Sequence, residues 1–408
     1  MAHWLAGTRP RDQVCALICQ VLTRELGRGI GLQEAGLAPR AGQSDPSADQ
    51  PVLPAPHDRL RELTEDTPIG LKTLRRLPYL LDPDLPEVAG RPRPEAARGR
   101  IGTAHIQAAE LMVALFADAD EVFGGAHLRP ALTAYLSTDI ASHLAAPASP
   151  SVSRKFRQAS VDLAYLAGFT AFDAGLHGAA QAYFRIAAQL ASEVSDRPRY
   201  AMTLRQMSVQ AHHLGNTQQS LQFAQAAARE TGGLSPRSAA FVTGQEALAL
   251  AATGDRQLAL IRLGQAERLL EQGEGSGAPL GGYHRAAFAH QQAEVLAAAG
   301  DIRGACRALT ASLRHRPRQE RRARMLTTAR LAGLQLGQGH LELACSTWDR
   351  FLDDYPQVMS ARGDTALREL RTGLRTYQRE PAARRVLLRA GQLPAPRAGT
   401  PSTAPRRG

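Results

Sequence analysis

Between residues 164 and 356 one arrangement of apolar positions recurs five times: a small residue, a bulky one four positions on, and a usually small one three further. The copies are Ala180, Phe184, Ala187; Ser220, Ala224, Ala227; Ala259, Leu263, Ala266; Ala305, Leu309, Ser312; and Ala344, Trp348, Phe351, the second departing from the pattern with Ala224 at its bulky position. Steps of four and three put each triplet on one face of a helix. The copies start 40, 39, 46 and 39 residues apart, and Pro317 and Pro356 close the last two. A second apolar helical stretch lies about a dozen residues before each anchor, so each period predicts a hairpin. A hairpin cannot cover its apolar face alone and must stack on the next. The alternative is a non-repeating bundle with Ala-rich faces.

The flanks carry weaker patterns. Val14, Leu17, Ile18, Val21, Leu22 and Leu26 predict a helix closed by Gly27. Residues 38–58 read as a flexible linker rich in Pro, Ala, Ser and Asp, and 59–100 as a partly ordered connector. Ile106, Leu111, Val113, Leu115 and Phe116 begin a helix whose partner runs from Pro130 to Leu144. The predicted units are 1–37, a linker with a short helix at 38–100, a capping hairpin at 101–150, repeats with closing helices at 151–393, and a disordered tail at 394–408.

The anchors with their closing prolines resemble the tetratricopeptide repeat, a helical hairpin of roughly 34 residues with the pattern A-x3-F and a final Pro. The longer period implies longer turns or helices. The resemblance implies an all-α fold, a right-handed helical-hairpin solenoid. Small anchors let two helices approach, while Phe184 and Trp348 fill the gap between hairpins.

Composition narrows the function classes. Only Lys72 and Lys155 among the 49 basic residues are lysines, so the net charge of +11 reflects arginine usage, and it suits an acidic partner. Cys15, Cys19, Cys306 and Cys345 are too few and scattered for a disulfide framework, and no metal-ligand spacing accompanies them. Charges at Arg9, Arg11 and Asp12 exclude a secretory signal, and no apolar run spans a membrane. A cytoplasmic protein without membrane contact is expected. Gly273 to Gly282 reads as a loop between hairpins, not a phosphate loop, because neither lysine follows a glycine. No nucleophile elbow, zinc helix or dinucleotide fingerprint occurs, so neither enzyme activity, cofactor nor metal is expected.

A helical solenoid offers a concave face lined by the first helix of each hairpin. Counting back from the anchors, the inward positions are Tyr165, Phe169 and Phe172, then Arg205 and His212, then Phe241, then His290 and Glu294. Aromatics mixed with hydrogen-bonding groups suit a peptide or protein ligand; the alternative is that the rings pack between hairpins. The arginine run from Arg314 to Arg324 reads as a solvated face.

The first residues contain Trp4-x-x-Gly7-x-x-Pro10, followed by the helix ending Leu22-Thr-Arg-Glu-Leu-Gly-Arg28 and by Leu32-Gln-Glu-Ala-Gly-Leu37. This resembles the second half of the repressor-type (XRE) helix-turn-helix domain at the head of actinobacterial regulators that carry tetratricopeptide repeats. The resemblance implies that Trp4 ends the recognition helix and Gly7 breaks it. It also implies a partial, truncated domain, since base edges are read by helices that would precede Met1. Either the start is assigned too late or the chain is a shortened relative. His3, Trp4, Arg9 and Arg11 are the candidate DNA contacts. The reading is a transcriptional regulator with a peptide or protein in its groove, DNA as a further partner and room for a homodimer. The alternative is an interaction adaptor that binds no DNA.

Overall fold

A computed structural model describes residues 55–63, 77–81, 100–273 and 282–393, together with Ile18 and Ala35. Within them all fifteen anchor positions are buried, none more than 5% exposed. The helices run in chain order as α1 (Pro56–Glu62), α2 (Thr103–Phe123), α3 (Gly125–Tyr135) and α4 (Ala141–Leu144), the last two joined by a π-helical turn. Six hairpins follow: α5 (Pro150–Asp173) with α6 (His177–Glu193), α7 (Arg197–His213) with α8 (Thr217–Arg229), and α9 (Pro236–Ala252) with α10 (Arg256–Gln272). Then come α11 (Arg285–Ala299) with α12 (Ile302–His315), α13 (Arg321–Gly337) with α14 (Leu341–Asp354), and α15 (Ala361–Arg375) with α16 (Pro381–Gln392). The fold is all-α, a solenoid of helical hairpins, and each anchor triplet lies on the second helix of its pair.

The turn inside each of the first five hairpins is one motif repeated. Gly175, Gly215, Gly254, Gly300 and Gly339 each sit five residues before the small anchor with positive φ, between 74° and 99°. The following N–H in each case reaches back five residues to a helical carbonyl, as Leu176 does to Ala171 and Asp301 to Leu296. This is the Schellman closure, which satisfies the orphan carbonyls of the first helix. The second helix then starts at once: Asp255 and Asp301 cap α10 and α12 by accepting the N–H three residues on. The long 46-residue spacing falls between α10 and α11, where residues 274–281 lie outside the described residues.

Neighbouring first helices are tied across the repeat. Arg199 on α7 grips Asp162 on α5 with two bonds of 2.9 Å, and Arg330 on α13 holds Glu294 on α11 at 2.9 Å. Gln245 on α9 donates to Ser208 on α7 at 3.0 Å.

The array curls until its end meets its beginning. The hairpin at 101–150, predicted only to cap the first repeat, packs on α5 and also reaches α13. Arg322 of α13 pairs with Asp120 at 2.8 Å and Glu121 at 3.0 Å on α2. Met359 donates to the Phe123 carbonyl at 2.9 Å, and its own carbonyl accepts the Ala126 N–H at 3.3 Å. Ser360 donates to Asp173 at the end of α5 at 2.8 Å. Gly124 and Gly125 make this approach geometrically possible. A Cβ on Gly124, whose φ is 83°, would lie 2.7 Å from the Met359 carbonyl oxygen, and one on Gly125 would lie 2.7 Å from Thr170 Cα.

Two readings need correction, the linker and the arginine run. Residues 56–58 of the expected flexible linker begin α1, whose Leu60 is wholly buried against the first hairpins. Residues 77–81 form an extended strap: the Gln181 side chain bonds both the N–H and the carbonyl of Leu80, at 2.8 and 2.7 Å, and the Tyr79 hydroxyl donates to Gln219 at 2.5 Å. The arginine run is not a uniform solvated face, because Arg322 is 4% exposed, Arg316 bonds Glu320 at 2.6 Å, and Arg324 grips Asp354 at 2.7 and 2.8 Å. Leu111 and Leu115, counted with the apolar face of α2, are 70% and 59% exposed. Residues 394–408 lie outside the described residues.

Candidate functional site

The curl turns the first helices of the hairpins toward one interior, and three layers of side chains line it. In the first layer, Arg205 of α7 lies with its guanidinium carbon 3.5 Å from the centroid of Phe241 on α9. The other neighbour of Phe241 is Tyr283, stacked at 4.3 Å, whose hydroxyl donates to Gln291 at 2.6 Å. Arg205 is 9% exposed, donates to Gln206 at 2.8 Å, and leaves its Nε without a partner. Burial lowers its pKa, and the π face of Phe241 stands where a carboxylate would be expected. Tyr165 of α5 belongs to the same layer, its hydroxyl 3.5 Å from Gln206.

The second layer is polar. His290 of α11 meets the Thr327 hydroxyl at 3.0 Å, and that hydroxyl donates to the Ala323 carbonyl at 2.7 Å. With its one hydrogen so placed, Thr327 accepts, which assigns the proton to His290 Nδ1 and leaves Nε2 as an acceptor. Burial pulls His290 down to about 4, so the ring is neutral at pH 7. Burial raises the Glu294 carboxyl, but Arg330 and His290 outweigh it and leave it below its ordinary value. His212 of α7 feels the same Glu294–Arg330 pair; burial lowers its pKa, and its Nδ1 has no partner.

The third layer sits at the closure. Arg322, already holding Asp120 and Glu121, lies over Phe169 at 4.5 Å. Burial pushes Asp120 up to about 7 against the pull of Arg322. Phe172, 1% exposed, is ringed by His177 at 5.8 Å, His213 at 5.2 Å and Arg362 of α15 at 5.4 Å.

The positions Tyr165, Phe169, Phe172, Arg205, His212, Phe241, His290 and Glu294 thus fall on one interior. Tyr165 and Phe172 are buried between hairpins, whereas Phe169, Phe241, His212, His290 and Glu294 are half-buried and present surface. His3, Trp4, Arg9 and Arg11 lie outside the described residues. Counting from the anchors missed His177, Tyr283, Arg322, Arg330 and Arg362. A signal for Arg330 was present: it lies 36 residues from Glu294, close to one repeat, with opposite charge. A cleft of about 400 Å³ beside Cys306, Thr310, Gln338 and Leu343 is separate from this interior. Among the described residues no cluster of His, Cys, Asp and Glu could hold a metal ion, and no helix is long and apolar enough to cross a membrane.

The model of the SP15 N-terminal domain matches residues 1–38. Among solved structures, that of a Rap protein complexed with competence and sporulation factor aligns with 71% of this chain and 84% of its own. The TM-score is 0.46 and the sequence identity 14%. No curated protein matches the chain.

Proposed function

We propose that this chain is a binding protein whose solenoid interior takes a segment of a peptide or partner protein. One observation carries the reading: half-buried aromatic, imidazole and charged side chains from α5, α7, α9 and α11 converge on one surface. Rigid rings with hydrogen-bonding neighbours contribute much of the energy where one chain grips another. The test places a photoreactive benzoylphenylalanine at position 169, or at exposed position 343 as an outer control, in cells that make the protein. A peptide found by mass spectrometry on 169 and absent from 343 supports the interior. The same set of adducts at both positions, or none at 169, refutes it.

A finer reading makes the protein a transcriptional regulator whose residues 1–37 contribute DNA contact through His3, Trp4, Arg9 and Arg11. The Trp4-Gly7-Pro10 pattern and the charge of +11 support it. Several phosphate contacts make affinity for a duplex fall steeply with salt. Loss of that slope in Arg9→Ala/Arg11→Ala supports the regulator, and an unchanged slope leaves the adaptor reading.

A further inference from the structure

Two arginines of the interior make no ion pair, Arg205 and Arg362, and only Arg362 also lacks a side-chain hydrogen bond. Arg322 has Asp120 and Glu121, Arg330 has Glu294, and Arg205 has Gln206 and the face of Phe241. The guanidinium of Arg362, at the second position of α15, has neither a hydrogen bond nor an ion pair among the described residues. The carboxylate that acts on it most strongly, Asp173, is occupied by the Ser360 hydroxyl at 2.8 Å and the Gly125 N–H at 3.3 Å. Arg362 is held in place all the same: its guanidinium lies over Phe172, and its charge acts on His177, His213 and His290 together.

The neighbours of Arg362 suit an oxyanion. His177 and His213 lie 5.6 Å apart beside the same ring, and His177 Nδ1 is buried without a partner. Burial keeps His177 near 4, so at neutral pH the imidazole is a neutral hydrogen-bonding group and Arg362 supplies the charge. A guanidinium presents a planar fork of N–H donors that matches a carboxylate with two parallel bonds. A phosphate dianion calls for several cations or a cradle of backbone N–H groups, whereas here one unpaired charge stands among neutral rings. Phe169, 6.4 Å from the Phe172 ring under Arg362, offers apolar contact to the residues that carry the carboxylate.

We propose that Arg362, with His177 and His213, forms an oxyanion subsite of the interior that receives a carboxylate from an acidic peptide segment. The proposal rests on the reading of the interior as the binding surface and adds the chemistry of the ligand. The test is fluorescence anisotropy of labelled hexaglutamate, with labelled hexaglutamine as the neutral probe, titrated with the full chain at low salt. Hexaglutamate binds the wild type, and Arg362→Gln weakens it by about tenfold or more, the loss of a charge-assisted hydrogen bond. Arg362→Lys, which keeps the charge and removes the fork, falls between the two. Arg318→Gln, an exposed arginine outside the interior, stays within about twofold, and hexaglutamine binds far more weakly.

Equal binding by Arg362→Gln variants that keep the wild-type helical circular dichroism would overturn the subsite, as would absence of hexaglutamate binding. Displacement by inorganic phosphate at the concentration of competing peptide would reassign it to a small anion and sink the peptide. An interior adduct at position 169 together with indifference to Arg362→Gln would leave the binding reading standing and remove this one. Arg362-dependent hexaglutamate binding without any adduct at 169 would do the reverse.

Discussion

At the residue scale the fold rests on a few positions whose size is fixed by their neighbours. Trp348 is 2% exposed, packed edge-on to Phe351 at 5.4 Å where α14 meets the last hairpins. Trp348→Ala should cost about 3–5 kcal/mol, read as a lower urea midpoint. These anchors were legible in the sequence because burial demands a small residue at the first position of the same helical face in every copy, although the middle position ranges from Ala224 to Trp348. Arg362 was not, since an arginine near the start of a helix looks the same whether it faces solvent or an interior closed by residues 200 positions away. The buried imidazoles add a pH dependence. His177 and His290 lie near 4 when folded, against about 6.5 unfolded. Between those values the unfolded chain binds the extra protons, so their contribution is full above pH 6.5 and lost as pH falls toward 4. Asp120, raised to about 7, acts in the opposite sense: its contribution is full below its unfolded value and lost as pH rises through 7. Urea midpoints of His177→Gln measured from pH 4 to 7 should therefore fall less on acidification than those of the wild type.

At the scale of elements, the hairpin turn is written in the chain and the closure is not. A glycine five residues before every small anchor marks each Schellman turn, a signal as regular as the anchors themselves. The closure instead depends on Gly124 and Gly125, which look like any helix punctuation until Met359 and Thr170 are brought against them. Gly124→Ala adds both left-handed strain and a 2.7 Å contact with the Met359 carbonyl. It should lower stability by more than about 1 kcal/mol, whereas Gly232→Ala, with open space at its Cβ, stays near neutral. Thermal melts of the two variants compare these outcomes, and equal melting temperatures would remove the glycine argument. The strap at 77–81 was illegible for a related reason: its composition is that of a linker, and only glutamines a hundred or more residues away hold it, Gln181 of α6 through the Leu80 backbone and Gln219 of α8 through the Tyr79 hydroxyl.

At the scale of the whole molecule, a solenoid of six hairpins among the described residues becomes a closed array with an inside. The closure is held by one buried guanidinium between two carboxylates, by two backbone bonds at Met359 and by Ser360 on Asp173. Removing one partner of a buried pair leaves an uncompensated charge and costs about 3–5 kcal/mol. Arg322→Ala should therefore loosen the junction while each hairpin, stabilised by its own neighbours, survives. The interior exists only while the junction holds. Spin labels at Leu115→Cys on α2 and Leu388→Cys on α16, with the native cysteines replaced by alanine, report it through a pulsed dipolar distance measurement. A single narrow distance matching the structure, broadened in Arg322→Ala, is the predicted result. A broad distribution in the otherwise unaltered protein would show an open array without a defined interior, and would contradict the binding surface drawn from it.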